Sequence, residues 1–500
     1  MSSIVRFNDL NEDILLHIVS FDRERAKTSS ALSRTSKHLR DAFFLRVWRD
    51  CSWPSSGRLD DPRPLPGHVL PYIQRLTISW PGDSQLWPIS EECCNLTVLV
   101  MLQMDMRYSA ALASACTTLP SLTSLSIQPL TVWQKEMGRL VVPTIGIANL
   151  KEFQVFLPHD SRSKCARSSR REASCAAAEA SVISTLIVPS QTTLHLLELD
   201  GEHLPYLHLR GPFPKLCHIK LCNLEPLLTD GTALLDHLPD APLLKDLELF
   251  LHHLLGEPPV KLASQTKQLA QLFPHLQQIK LYNSSISDML FQSLPSGITH
   301  IEVITTPFPM TSPSLGPGFL RGVLSDDVGI CQMQYTMPEM LSWLQRQVYP
   351  ALSVLKLTIN QTAEGPLSKS FANILVGACP QLEQFLIHTS FPHCSNALAL
   401  LDNFAAGFAQ SMTLKSLYIM AEWAEFELEH QAEYWPQFFS DCACRVAQRL
   451  PQLREVAFLK VYLLECGYYW YLSDGGEIKG CKTGNLNSAQ PFINTDSWKL

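Results

Sequence analysis

One motif returns thirteen times along this chain, and few folds can accommodate it: an apolar residue, two variable positions, a second apolar residue, one variable position and a third apolar residue. It reads Ile73/Leu76/Ile78, Leu96/Leu99/Met101, Leu122/Leu125/Ile127 and Leu150/Phe153/Val155. It continues as Leu194/Leu197/Leu199, Leu216/Ile219/Leu221, Leu244/Leu247/Leu249, Leu276/Ile279/Leu281 and Ile298/Ile301/Val303. The last copies are Leu352/Leu355/Leu357, Leu382/Phe385/Ile387, Leu414/Leu417/Ile419 and Leu453/Val456/Phe458. The second and third positions lie on one side of an extended chain, so each copy predicts a short strand with one buried face. Many copies are 22 to 32 residues apart, with longer gaps of 44, 54 and 39. A unit that recurs at this interval stacks on its neighbours and shares one long core with them. Pro120, Pro274, Pro380 and Pro451 stand just before the first apolar residue of their copies.

This L-x-x-L-x-L spacing resembles the leucine-rich repeat. The resemblance implies an α/β solenoid over residues 73–465, with parallel strands on a concave face and helices outside. The asparagine that normally follows the motif is mostly missing, with Asn223 and Asn283 near its place, so the repeats are degenerate.

In such an array the variable residue between the second and third apolar positions faces outward. Along the middle of the chain this row reads Glu198, Lys220, Glu248, Lys280, Glu302, Lys356. Alternating charges on adjacent strands can satisfy one another, which favours a self-paired ladder over a binding site. The next outward row reads Asp200, Cys222, Phe250, Tyr282, Ile304, Thr358, His388, Met420. Apolar and aromatic residues in sequence on a sheet face have two explanations: a partner-binding surface, or a loop folded over them. On the first, Phe250, Tyr282, Ile304 and His388 are the substrate-binding candidates.

With 46% hydrophobic and 17% charged residues the composition is that of a folded protein. A net charge of −7 gives no basic face for nucleic acid. The N-terminus has no basic region leading into an apolar run, so no secretory signal is expected. The longest stretch without formal charge, Tyr108 to Gln134, is broken by Pro120 and Pro129 and is not expected to span a membrane. The 15 cysteines are odd in number and scattered, as in an intracellular protein with reduced thiols, cytoplasmic or nuclear. Cys93-Cys94 and Cys442-Ala443-Cys444 lack partners at zinc-site spacing. No metal or cofactor is expected.

The first 52 residues differ from the rest. Leu10, Ile14, Ile18 and Phe21 form an amphipathic stripe, broadened by Leu15 and Val19. Asn11 can cap this helix, and Glu12 and Asp13 complement its dipole. A short second helix around Leu32 and a third from Lys37 to Trp48, capped by Thr35 or Ser36, complete a module too small to be robust alone. Leu10-Asn11-Glu12-Asp13-Ile14-Leu15-Leu16-His17-Ile18-Val19 and Ala31-Leu32-Ser33-Arg34-Thr35-Ser36-Lys37-His38-Leu39-Arg40 resemble the F-box of fungal F-box proteins. The likeness continues into Phe44-Leu45-Arg46-Val47-Trp48-Arg49-Asp50. It departs at Asn11, where that family usually has proline, and at the charged run Asp22 to Lys27. The resemblance implies a three-helix F-box over residues 1–52 that binds the Skp adaptor, and through it a cullin, by Leu10, Ile14, Ile18, Leu32 and Leu39. The bare reading of the same residues is a helical cap on the repeat array.

Residues 53–72 form a Pro-rich connector, with Pro54, Pro62, Pro64, Pro66 and Pro71. Pro158 to Ala180, with Arg162, Lys164, Arg167, Arg170 and Arg171 among serines, is expected to be an exposed loop. Thr305 to Met337 is a proline-punctuated insertion able to lie over the strands as a lid. Tyr468-Tyr469-Trp470-Tyr471 and Asp474-Gly475-Gly476 predict a hairpin within a C-terminal cap, residues 466–500.

No phosphate-binding loop, dinucleotide fingerprint, H-E-x-x-H helix or G-x-S-x-G elbow occurs. The implied role is non-enzymatic: the substrate-recognition subunit of an SCF-type ubiquitin ligase, holding an unknown protein target while a recruited enzyme does the chemistry. The alternatives are a repeat scaffold unrelated to ubiquitin and, less favoured, a cysteine-dependent ligase using Cys442, Cys444 or Cys466.

Overall fold

The structure is a computed structural model of the 500-residue chain. It describes residues 31, 39, 47–53, 65–79, 87–104, 106–129, 142–155, 173–207, 209, 211–224, 234–251, 262, 269–282, 284, 289–292, 294–304, 337–359, 367–391, 397–423, 434–461 and 466–486. The chain divides into two compact units, residues 1–216 and 217–500.

In the first unit, strands β1 (Asp50–Trp53), β2 (Arg75–Ile78), β3 (Val98–Met104), β4 (Ser124–Pro129), β5 (Glu152–Val155) and β6 (Leu196–Asp200) pair in chain order, all parallel. Helices α1 (Ser109–Thr117) and α2 (Ala173–Ile187) lie between them in sequence. In the second unit, β7 (His218–Leu224), β8 (Asp246–Leu251), β9 (Gln278–Tyr282), β10 (His300–Ile304), β11 (Val354–Ile359), β12 (Gln384–Phe391), β13 (Ser416–Trp423) and β14 (Glu455–Val461) repeat the parallel order. Then β15 (Cys466–Asp474) and β16 (Glu477–Leu486) turn antiparallel. The helices here are α3 (Leu269–Leu272), α4 (Met337–Arg346), α5 (Lys369–Ala378), α6 (Ala397–Gly407) and α7 (Tyr434–Arg449). This is an α/β fold with a mostly parallel sheet, consistent with a solenoid-like fold.

The triplet motif explains the strands. All thirty-nine positions of its thirteen copies are at most 2% exposed. Register pairs copy with copy, as in Leu247 with Ile279 and Leu249 with Leu281. Each buried branched or aromatic side chain contributes about 1.5–3 kcal/mol relative to exposure. The first apolar residue closes a turn: the N–H groups of Leu122, Leu276, Leu382 and Leu453 donate to the carbonyls of Leu119, Phe273, Cys379 and Leu450 at 3.0–3.3 Å. In these turns Pro120, Pro274, Pro380 and Pro451 take the second position, where a fixed φ suits the turn.

Helices cover the inward side. Ser368 caps α5 by accepting from the Phe371 N–H at 3.1 Å. Phe371, Ala372, Leu375 and Ala378 then share the buried face of α5. Phe385 of β12 meets Phe371 of α5 at 6.5 Å, Phe404 of α6 at 6.3 Å and Phe408, just after α6, at 5.9 Å. Phe439 of α7 stacks on Phe458 of β14 at 5.3 Å and packs against Tyr469 at 4.7 Å.

Two expectations change. The boundary at residue 52 falls inside β1, whose Cys51 and Trp53 are buried and whose Cys51 is in register with Leu76. Trp48/Cys51/Trp53 keeps the triplet spacing with residues that do not look like leucines. The end of the supposed exposed loop, residues 173–180, is instead the first half of α2, with Ala176, Glu179 and Ala180 buried. Its alanine-rich stretch has the highest intrinsic helix propensity, which outweighs the serines. The C-terminal hairpin forms, and Gly475 and Gly476 at φ 57° and 88° occupy the left-handed region its turn requires.

Ala31, Leu39 and residues 47–49 are helical. Leu10, Ile14, Ile18 and Leu32, and residues 305–336 of the second insertion, lie outside the described residues. No helix among the described residues is long and apolar enough to cross a membrane.

Candidate functional site

The residues that alternate with the triplet positions point away from the helices, and in the second unit they form three rows across the strands. The first row reads His218, Asp246, Gln278, His300, Val354 and Gln384. The second reads Lys220, Glu248, Lys280, Glu302 and Lys356; the third Cys222, Phe250, Tyr282, Ile304, Thr358 and His388. Across β7 to β9, burial increases from the first row to the third. His218 and Asp246 have side chains 49% and 29% exposed, and Glu248 and Lys280 are 22% and 24% exposed. Cys222, Phe250 and Tyr282 form a buried cluster with Ile304 packed against it.

The charged row is a ladder, as its alternation suggests. Lys280 Nζ stands 3.7 Å from Glu248 Oε2, and Lys356 Nζ 2.7 Å from Glu302 Oε1. Lys220 Nζ lies 5.5 Å from the centre of the Phe250 ring, within cation–π range. Glu302 and Lys356 are almost wholly buried, and His300 Nε2 adds a 2.6 Å contact to Glu302 Oε1. Burial by itself would raise the Glu302 carboxyl. The His300 hydrogen bond and the charges of Lys356, Lys280 and His300 outweigh it and hold the group at about 2.

The third row decides between the two readings of its aromatic residues. Phe250 and Tyr282 stack face to face, 4.0 Å apart and 2° from parallel, and are 2% and 0% exposed. Both are thus covered, and neither presents the solvent-facing surface expected of a recognition aromatic. The signal was ambiguous because strand alternation fixes which side of the sheet a residue faces, and only distant packing fixes whether that side is open. Tyr282 Oη also donates to Glu302 Oε2 at 3.4 Å. Burial, followed by the Glu302 and Glu248 charges, pushes its phenol well above the usual range. Ile304 and His388 are half-buried, and burial holds the His388 imidazole down to about 4.

A small polar concavity lies at the other end of the same strands. His218, Asp246, Glu248, Gln278 and Lys280 line a cavity of about 130 Å³. His218 Nδ1 contacts Asp246 Oδ2 across neighbouring strands. The first row was legible in the motif, since its members directly precede the second apolar residue of each copy.

In the first unit, Glu198 is buried and accepts from Gln154 Nε2 at 3.3 Å, and Asp200 is buried. His203 Nε2 and Glu179 Oε2 form a buried contact of 2.8 Å that ties α2 to the segment after β6. Leu39 is 2% exposed, so its side chain packs within its own chain. Cys442 is buried and Cys444 half-buried on α7. No group of three or more His, Cys, Asp or Glu among the described residues is placed to hold a metal ion. No known family model matches the chain, and no curated protein matches it.

Proposed function

We propose that this chain is the substrate-recognition subunit of an SCF-type ubiquitin ligase, built from an N-terminal F-box and a degenerate leucine-rich-repeat solenoid. The observation that carries the repeat half is the burial of every triplet position in strands that pair in chain order. The F-box half rests on the resemblance of residues 10–19 and 31–40 to that motif. In this reading Leu10, Ile14, Ile18 and Leu32 contact the Skp adaptor, and Leu39, 2% exposed, is buried within the chain. The repeat array holds a protein target, and a conjugating enzyme recruited through the cullin transfers ubiquitin. The chain's contribution is proximity: two reactants held in one complex react as if at a much higher concentration.

The test is capture of the full chain by immobilised Skp adaptor. The variant Ile14→Asp plus Ile18→Asp places charge in an apolar contact and is expected to abolish capture. Failure of the folded wild type to be captured would leave a repeat scaffold with a helical cap.

A further inference from the structure

We infer that the outer edge of β16 receives an extended, acidic segment of the protein this chain binds, which adds to the sheet as a further strand; this rests on the reading of the chain as a recognition subunit. β16 is last in the strand order, and all its register partners lie on β15. No backbone hydrogen bond leaves its other edge among the described residues. Such an edge presents alternating N–H and C=O groups, a template on which an extended segment can pair. β16 is also long for a strand, ten residues against the usual five or six, whereas β1 has four.

The side chains along this edge leave room for a neighbour. On the outward face Leu472 of β15 is opposite Gly480, and Trp470 is opposite Lys482. Leu472 is 44% exposed, and a Cβ on Gly480 would meet nothing within 4 Å. The glycine thus leaves the flank of Leu472 bare on the side of the edge. An apolar side chain on an added strand, opposite Gly480, can lean across the glycine onto Leu472.

Charge selects the occupant. Lys482 is exposed and makes no ion pair among the described residues, while Lys479 is taken up by Glu477 at 2.6 Å. In a chain of net charge −7 this edge therefore carries an uncompensated positive residue. Opposite charges on facing strands stabilise a pair, and like charges destabilise it. Two copies of β16 meeting about a twofold axis would bring lysines together, so the charge that admits an acidic strand disfavours a second copy.

The experiment uses the full chain and a fluorescein-labelled heptapeptide of alternating glutamate and valine, read by fluorescence anisotropy. A lysine–valine heptapeptide is run alongside. Two variants are compared: Gly480→Val plus Lys482→Glu on the edge, and Lys369→Glu, an exposed lysine of α5. Thermal melts establish that each is folded. The expected result is binding of the acidic peptide only, about tenfold weaker in the edge variant and little changed in Lys369→Glu. Hydrogen exchange of the wild type should show residues 477–486 protected when the acidic peptide is bound. Equal losses in the two variants would assign binding to net charge and overturn the proposal. So would no binding by the wild type, equal affinity for the lysine peptide, or protection that spares β16. Sedimentation showing self-association that the edge variant abolishes would make a second copy the occupant and also overturn it. Adaptor capture on the same samples keeps the two proposals separate, since the edge variant retains the F-box and the F-box variant retains β16.

Discussion

Glu302 and Lys356 sit side by side in β10 and β11, 0% and 2% exposed, with 2.7 Å between their charged atoms. A buried ion pair is an uncertain source of net stability, but removing one member leaves a charge with neither water nor partner. Glu302→Gln or Lys356→Met alone is therefore expected to cost ~3–5 kcal/mol, and the double variant distinctly less than the sum. Urea unfolding midpoints of the four proteins measure this. The Glu302 carboxyl falls from 4.5 to about 2 in the folded state, so its stabilisation is complete above pH 4.5 and is lost as pH falls from there toward 2. His388 acts at higher pH. Its imidazole is held at about 4 against an ordinary 6.5, so between those values the unfolded chain binds more protons than the folded one. Stability should decline as pH falls from 6.5 to 4, before most carboxylates titrate. Thermal melts across that window should show a shallower decline for His388→Gln; an unchanged slope would place the titration elsewhere. The pairing partners of Glu248 and Glu302 were readable from alternation along the row. The burial of Phe250 and Tyr282 was not, because it depends on what lies over the sheet.

At the scale of elements, the strands were the most legible part of the chain. Each triplet predicted one strand because the inward positions tolerate only apolar side chains. β1 was missed where Cys51 and Trp53 replace leucine. The first half of α2 was missed because serines and the nearby arginines suggested a loop, although residues 173–187 read ASCAAAEASVISTLI. Helix contacts carry constraints that no periodicity reveals. A Cβ on Gly407, at the end of α6, would lie 2.5 Å from Ala372 Cβ and 2.6 Å from the Lys369 carbonyl oxygen on α5. Neither is the mobile end of a long side chain, so α5 and α6 must separate to admit it. Gly407→Ala is expected to cost roughly 1–3 kcal/mol despite alanine's better helix propensity. Chemical denaturation checks this, and a neutral or stabilising result would show that the helix pair yields easily.

For the whole molecule, the proposal joins two functions on one chain: an adaptor-binding module at the N-terminus and a recognition array after it. In the second unit charges pair along the outward rows, and one small polar cavity lies among the described residues of β7 to β9. The proposed N-terminal function rests on Leu10, Ile14, Ile18 and Leu32, and there the sequence motif alone supplies the assignment. Calorimetric titration of purified Skp adaptor into the purified full chain tests this claim most directly. Saturable one-to-one binding is expected, and it should disappear in the Ile14→Asp plus Ile18→Asp variant while the thermal melt of the chain is preserved. A folded wild-type chain that gives no heat of binding, or a double variant that binds as well as wild type, would contradict it.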